Sequence, residues 1–535
     1  MSILDNILLD NQKFIQAKED IKKVYYHDDM PWVIGFSGGK DSTCTTQLVV
    51  DVLMTLKAEG KNLNKNVYII SSDTLVENPM IVSTIHETIN NINNLAVREN
   101  LPISAHIIKP KYNNTFWANL IGRGYPCPNQ TFRWCTDRMK IHPANDFIMN
   151  IVDKYGEAVM LLGVREGESN SRDRVLENHT IEGQLLMRHT TMANAYIFAP
   201  IRSFTVDDVW EYLLTNDSPW GADNKKLFEL YKDSSEDCPM MIDEDMKKTE
   251  SCGNSRFGCW ICTVVSKDKS LTSFIEKGES WLRPMLEFRN WLYSIRDNES
   301  KRMRMRKDGS IYFSKVSSYE DKIVIPAKGE RKKIIIENID GKFIDNFGHE
   351  WTIFDGPNCE EKAKAYIFNN SINLKNGSNP HIIIKRINDE FFQLGPGPFT
   401  FEAREEMLRK LFELQKTIGD RCELFKTEEL LEIRKIWFKL GQWQDNVPKI
   451  YLEVFGKELD CVNNDDIKLF DNKGLDILEK ICNEKNLDVN ILKDLFSIEQ
   501  KYMGYNNRSE INKNIKKLFS QEFLHLDNGG EFDEN

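Results

Sequence analysis

Apolar residues recur at helical spacing through the first two dozen positions, at Ile3, Leu4, Ile7, Leu8, Phe14, Ile15 and Ile21, and predict an amphipathic helix. A continuous apolar run over 32–36 then reads as a buried strand and leads into a Ser-Gly-Gly loop. A helix is predicted to open at Asp41 and Ser42 and to run through Leu48 and Val50. Further strand-like runs lie at 67–71, 103–108, 159–163 and 196–200, with helical stretches between most of them. Strands alternating with helices predict an α/β fold, a doubly wound parallel sheet over roughly residues 25–215.

The pattern changes after that. Residues 216–300 are turn-rich and hold a cysteine cluster and several tryptophans. Short β-like runs such as 332–337 and 381–385, punctuated by Gly, Asn and Pro, fill 308–400. Helical periodicity returns over 402–415 and 428–440. The last 70 residues are rich in Asn, Asp and Lys, and the composition of the tail 527–535 predicts disorder. The expected segments are therefore 1–215 (nucleotide domain), 216–307 (cysteine segment), 308–400 (β-rich) and 401–535 (helical, with the tail). A length of 535 residues agrees with two or three domains.

Composition narrows the class. With 41% hydrophobic and 29% charged residues and no apolar run of 18, the chain reads as globular, with no membrane span. The N-terminus shows neither a basic n-region nor a small-residue cleavage site, so a cytoplasmic location is expected. Eleven cysteines, an odd count in a chain this long, suit buried, catalytic or metal-bound thiols rather than a disulfide framework. A net charge of −11 lends nucleic-acid binding no support, so any DNA contact needs a local basic patch. The densest candidates are Lys301, Arg302, Arg304, Arg306 and Lys307, followed by Lys328, Arg331, Lys332 and Lys333. A solvated basic loop is the competing reading.

The strongest chemical signal is Ser37-Gly38-Gly39-Lys40-Asp41-Ser42, placed where a strand gives way to a helix. Two glycines let backbone approach an anion, the helix start aims N–H groups at it, Lys40 adds charge, and Ser37 and Ser42 add hydroxyls. The loop is two residues shorter than a Walker A loop. Asp73, ending the second strand, is placed to hold Mg²⁺ on the phosphates or a ribose hydroxyl. Cys135 lies among Arg133, Arg138 and Lys140, cations that lower a thiol pKa and favour a nucleophile, although a buried structural cysteine reads equally well. Cys127, between two prolines, is the weaker candidate. After the fourth strand, Arg165, Arg172 and Arg174 offer rigid donor forks for phosphate.

Cys238, Cys252, Cys259 and Cys262 form a C-x13-C-x6-C-x2-C array. Four thiolates this close are a metal-site signature, but spacing does not separate zinc from a [4Fe–4S] cluster.

SGGKDS, FRWCT and GVREGES resemble the phosphoadenosine phosphosulfate (PAPS) reductase branch of the ATP-pyrophosphatase superfamily. SSDTLVENP, TFWANLIGRGYP, RHTT, PWGADN, SCGNSRFGCWICTVV and WLRPMLEFRNWL look like the DndC family, sulfurtransferases of bacterial DNA phosphorothioation. The likeness runs from about Pro31 to Arg306 and resumes near Gly395-Pro-Gly-Pro. It implies the adenine nucleotide alpha hydrolase-like sheet and cleavage of ATP to AMP and pyrophosphate. It also implies a [4Fe–4S] cluster on the four cysteines, sulfur from a cysteine desulfurase, and companion Dnd proteins that bring DNA. On this reading residues 37–42 with Arg165 and Arg172 bind the nucleotide, and Lys40, Asp73 and Cys135 carry the chemistry. Residues 308–394 form a longer β-rich stretch than that family leads one to expect. The competing expectations are a PAPS-type sulfonucleotide reductase, a tRNA thiolation enzyme and a non-enzymatic nucleotide sensor. The first lacks support here, because the chain has neither its C-terminal Glu-Cys-Gly segment nor a double cysteine.

Overall fold

The computed structural model describes residues 3–167, 185–189, 192–234, 258–319, 322–326, 332–386, 390–442 and 444–460, with a few further residues between 477 and 515. The chain divides into two compact units, 1–116 with 128–289, and 117–127 with 290–535. The first unit runs past the expected boundary at 215.

The first unit is built on a six-stranded sheet of order β3-β2-β1-β4-β6-β5. Its strands are β1 (Trp32–Gly35), β2 (Val67–Ser72), β3 (Ile103–Ile108), β4 (Ala158–Leu161), β5 (Met187–Arg188) and β6 (Ala195–Phe198). All pairings are parallel except that of the short edge strand β5. The central runs are buried on both faces and accordingly read as unbroken apolar stretches. Helices α1 (Ile3–His27), α2 (Lys40–Ala58), α3 (Pro79–Arg98) and α4 (His142–Tyr155) cover the sheet, followed by α5 (Val206–Thr215) and α6 (Asn224–Ser234). Local chemistry sets their ends. Asn78 accepts the Met80 N–H before a first-position proline in α3, and Thr205 and Asp208 form a capping box that starts α5. Helix α2 is the most enclosed, with twelve buried residues that include Leu48, Val49, Val50 and Leu53. Because β1 is flanked by β2 and β4, its carboxyl end is a topological switch point, where open α/β sheets bind ligands. The expected doubly wound sheet is what forms.

In the second unit the β-rich stretch closes into a seven-stranded barrel. Its strands are β7 (Phe313–Tyr319), β8 (Lys322–Ile325), β9 (Ile334–Ile339), β10 (Lys342–Asp345), β11 (Glu350–Phe354), β12 (Ile382–Lys385) and β13 (Phe391–Leu394). Pairing is antiparallel throughout except between β11 and β12, whose crossover contains helix α7 (Cys359–Asn369). Val316, Ile323, Ile325, Ile336, Trp351 and Ile383 form one core, and closure leaves no free edge. Helices Phe401–Ile418, Thr427–Lys439 and Asn446–Phe455 follow, held to 117–127 where Trp117 and Trp437 donate indole N–H bonds to Leu424 O (2.7 Å) and Ile121 O (3.0 Å).

The basic stretch proposed to meet DNA is largely structural. Arg302 and Arg304 are 7% and 2% exposed. Arg302 donates to Gly397 O (2.6 Å) and Arg296 O (3.0 Å) and stacks over Phe399, and Arg304 pairs with Glu299 at 2.6 Å. Only Arg306 and Lys307 of this run are exposed, beside the Tyr312 and Tyr125 rings. A β-carbon on Gly397 would lie 1.7 Å from Met305 O, so the Gly-Pro-Gly-Pro segment is glycine by close approach.

Candidate functional site

The loop after β1 is preorganised from within. Ser37 N donates to Ser42 Oγ (3.2 Å), the two serine hydroxyls lie 3.0 Å apart, and Ser42 Oγ donates to Gly39 O (3.0 Å). Gly38 takes φ +72, the left-handed region glycine enters without strain. Gly39 is the N-cap of α2 and itself supplies no side-chain cap bond. Asp41 is shared between Lys40 Nζ at 3.0 Å and Arg165 Nε at 2.7 Å, so Arg165, 6% exposed, ties the loop after β4 to the first turn of α2. Gly163 permits the approach, because a β-carbon there would stand 2.7 Å from Asp41 O. Thus 37–42 and Arg165 converge at the switch point. Arg172 and Arg174 lie outside the described residues.

Sequence reading missed Tyr231 on α6. Its hydroxyl accepts the Lys40 backbone N–H at 3.2 Å, and Lys40 Nζ stands 5.4 Å from its ring centroid. Nothing in the local sequence of α6 marks this contact; it depends on tertiary packing against Trp210.

Asp73 follows β2 directly, on the expected rim of the sheet. Its Oδ1 accepts the Leu75 N–H (2.9 Å), and its Oδ2 faces Lys109 (3.5 Å) and His86 (3.8 Å). With Asp41 already paired to two cations, neither carboxylate fits a resident magnesium site.

A thiol group stands at the end of β2. An isolated bridge joins Glu77 to Cys259, and Trp260 N donates to Val76 O (3.0 Å). Thr74 Oγ1 lies 3.4 Å from Cys259 Sγ and donates to Glu77 Oε1 at 3.0 Å, and Lys140 Nζ reaches Glu77 at 3.2 Å. Cys262 N donates to Cys259 O (3.0 Å) in the C-x2-C turn, and the fully buried Arg289 guanidinium ties down the carbonyls of Cys262, Val265 and Ser266. Cys135 joins this group. Burial and then the neighbouring Cys262 push its thiol up, reversing the lowered value expected from Arg133 and Arg138. Burial lowers Lys140, but Glu77, Cys259 and Cys135 outweigh it and hold the ammonium well above its usual range. Burial, then Glu77, raise Cys259 strongly. Cys127 lies in the second unit, where burial pushes its thiol up to about 12. Cys238 and Cys252 lie outside the described residues. Free thiols around one ammonium, on a carbonyl-clamped turn, fit an anionic thiolate-bound metal centre.

Residues 31–265 match the phosphoadenosine phosphosulfate reductase domain family, and residues 473–520 match a small protein found in certain Dnd DNA modification systems. An uncharacterized protein of Methanocaldococcus jannaschii is 26% identical over 272 residues, 50% of this chain and 44% of the relative; the chain thus spans less than half of that relative's length. Among solved structures, a phosphoadenylyl-sulfate reductase from Candida auris in a phosphate complex shares 14% identity over 40% of this chain and 85% of its own (TM-score 0.25). The Candida glabrata FMN adenylyltransferase with FAD and inorganic pyrophosphate shares 12% over 42% and 62% (TM-score 0.24). A U34-tRNA thiolase from Methanococcus maripaludis with its [4Fe–4S] cluster shares 11% over 41% and 72% (TM-score 0.25). The chain therefore carries a PAPS reductase-like α/β domain together with a C-terminal segment similar to a Dnd-associated small protein.

Proposed function

We propose that this chain is an ATP-dependent sulfurtransferase that replaces a non-bridging oxygen of the DNA backbone with sulfur. One observation carries the reading: the loop of residues 37–42 and the thiol group at Thr74 and Cys259 occupy the carboxyl ends of adjacent strands, β1 and β2, in a chain with a Dnd-related segment. Neighbouring strands lie about 4.8 Å apart, so a nucleotide and a sulfur source share one rim.

The chemistry follows from leaving groups. Phosphate oxygen is a poor one, so it is first converted to a phosphoric anhydride. A non-bridging DNA oxygen attacks the α-phosphorus of ATP, and the bond to the β-phosphate oxygen breaks. Lys40 and the loop N–H groups receive the charge that develops on pyrophosphate. Arg165, through Asp41, positions Lys40 and the helix start. Sulfur at the level of hydrosulfide, supplied by a cysteine desulfurase with a thiol reductant, then attacks the activated phosphorus. AMP departs with the oxygen, and the sulfur proton passes to solvent.

A [4Fe–4S] cluster fits the thiol group. Cys135, Cys259 and Cys262 would supply three thiolates, and the sequence offers Cys238 and Cys252 for the fourth. When bound it would supply iron sites able to hold or orient sulfur. Lys140 offsets its negative charge, and Arg289 fixes the turn that carries two of its ligands. Companion Dnd proteins supply the DNA, in keeping with a net charge of −11 and the burial of Arg302 and Arg304.

Mass spectrometry of nuclease-digested DNA from cells with and without this gene tests the reading. Phosphorothioate dinucleotides that vanish with the gene, and stay absent when Lys40→Ala replaces it, are expected. Unmodified DNA in the gene's presence, with companion proteins expressed, contradicts it.

A further inference from the structure

The barrel of the second unit carries a group of ligand-type side chains that the sulfur chemistry does not use. Asp345 ends β10, His349 lies in the turn to β11, and His381 directly precedes β12. One nitrogen from each histidine and a carboxylate oxygen all lie within 4.8 Å of one another. We propose that Asp345, His349 and His381 form a binding site for one zinc-type divalent ion.

Asp345 is 5% exposed and rigidly held. Its Oδ1 accepts the N–H groups of Phe347 and His349, each at 2.9 Å, and its Oδ2 accepts the Trp351 indole N–H at 2.9 Å. Such outer bonds are what fix a ligating carboxylate before an ion arrives. The same Oδ2 lies 3.1 Å from His349 Nδ1. A tetrahedral zinc ion with bonds of about 2.0–2.1 Å sets its ligand atoms roughly 3.3 Å apart. This pair therefore already has the separation of two ligands, and the ion takes the place of the proton between them.

The third ligand rests on two independent observations. His381 Nδ1 is buried and meets no hydrogen-bond partner, a state that costs about 1–3 kcal/mol and calls for an occupant. The residue is also held at φ +51, a region that strains a non-glycine residue. Its backbone is pinned there, its N–H donating to Asn379 Oδ1 (3.2 Å) and its carbonyl accepting from Thr352 N (2.9 Å).

The two imidazoles stack at 4.7 Å with 14° between their planes, so binding tilts one ring out of the stack while His349 Nδ1 stays beside Asp345 Oδ2. His349, its side chain 54% exposed on a turn, has the room, and its openness leaves the fourth position to water. Two imidazole nitrogens and one carboxylate oxygen suit zinc and its late first-row neighbours, whereas calcium and magnesium demand oxygen.

The test uses the full chain, stripped with chelator, loaded with excess zinc and desalted before metal analysis. Because cysteines stripped of their cluster would also take up zinc, the comparison is between wild type, His349→Ala and His381→Ala. Each variant is expected to retain one equivalent less than wild type. Cobalt loading should give a wild-type-minus-variant spectrum with weak visible bands and no thiolate charge transfer. His381→Ala can disturb the barrel by itself, so half-exposed His349→Ala decides. Wild-type zinc content in that variant overturns the proposal, as does a thiolate band in the difference spectrum.

Discussion

At the residue scale the nucleotide loop is governed by who holds the first turn of α2. Asp41 divides itself between Lys40 and Arg165, and the Tyr231 hydroxyl takes the Lys40 backbone N–H that a phosphate oxygen would use. Phosphate must displace that hydroxyl. Tyr231→Phe removes the competitor and keeps the ring beneath Lys40, so ATP should bind more tightly. A net hydrogen bond of about 0.5–1.5 kcal/mol corresponds to a gain of roughly two- to tenfold. Isothermal titration with a non-hydrolysable ATP analogue measures this. Weaker binding in the variant would make the hydroxyl a ligand to the nucleotide instead.

At the element scale, two close approaches carry the architecture. Gly163→Ala drives a β-carbon against the Asp41 backbone, which lacks a flexible side chain to yield. A loss of about 1–3 kcal/mol in urea unfolding is expected, with weakened nucleotide binding because the loop shifts. Wild-type stability would show that the strand end can move away. In the second unit, Arg302→Ala strands the carbonyls of Gly397 and Arg296 and leaves a cavity, for a loss of about 3 kcal/mol. Any DNA binding should keep its salt dependence in this variant if it folds, and a slope reduced by about one would return Arg302 to a phosphate-contacting role. These elements also mark how far sequence reading went. Trp32–Gly35 and Val67–Ser72 were legible because buried parallel strands are continuous apolar runs, and SGGKDS because its loop chemistry is local. The barrel appeared only as β-like runs, since closure lies in the pairing of β7 with β13, about 75 residues apart, which no local pattern encodes. Arg302 and Arg304 read as a basic patch because charge in sequence says nothing of burial. Tyr231 was invisible for the reason that contacts across 191 residues leave no spacing to detect.

At the scale of the whole molecule, the proposed function depends on the 37–42 loop and the thiol group working on one rim. Cys259→Ser and Cys262→Ser each remove a thiolate from the clamped turn. Anaerobically purified wild type should be brown, with both variants colourless and less stable, because bound metal contributes folding free energy. Colourless wild type with stoichiometric zinc at the cysteines would replace the cluster with a structural metal. The reaction itself turns on how ATP is broken. The most direct measurement is chromatographic analysis of the products formed by the purified protein with ATP, DNA, hydrosulfide and companion Dnd proteins. AMP and pyrophosphate in equal amounts are expected, dependent on DNA and abolished by Lys40→Ala. ADP and inorganic phosphate as the main products would contradict the proposed cleavage.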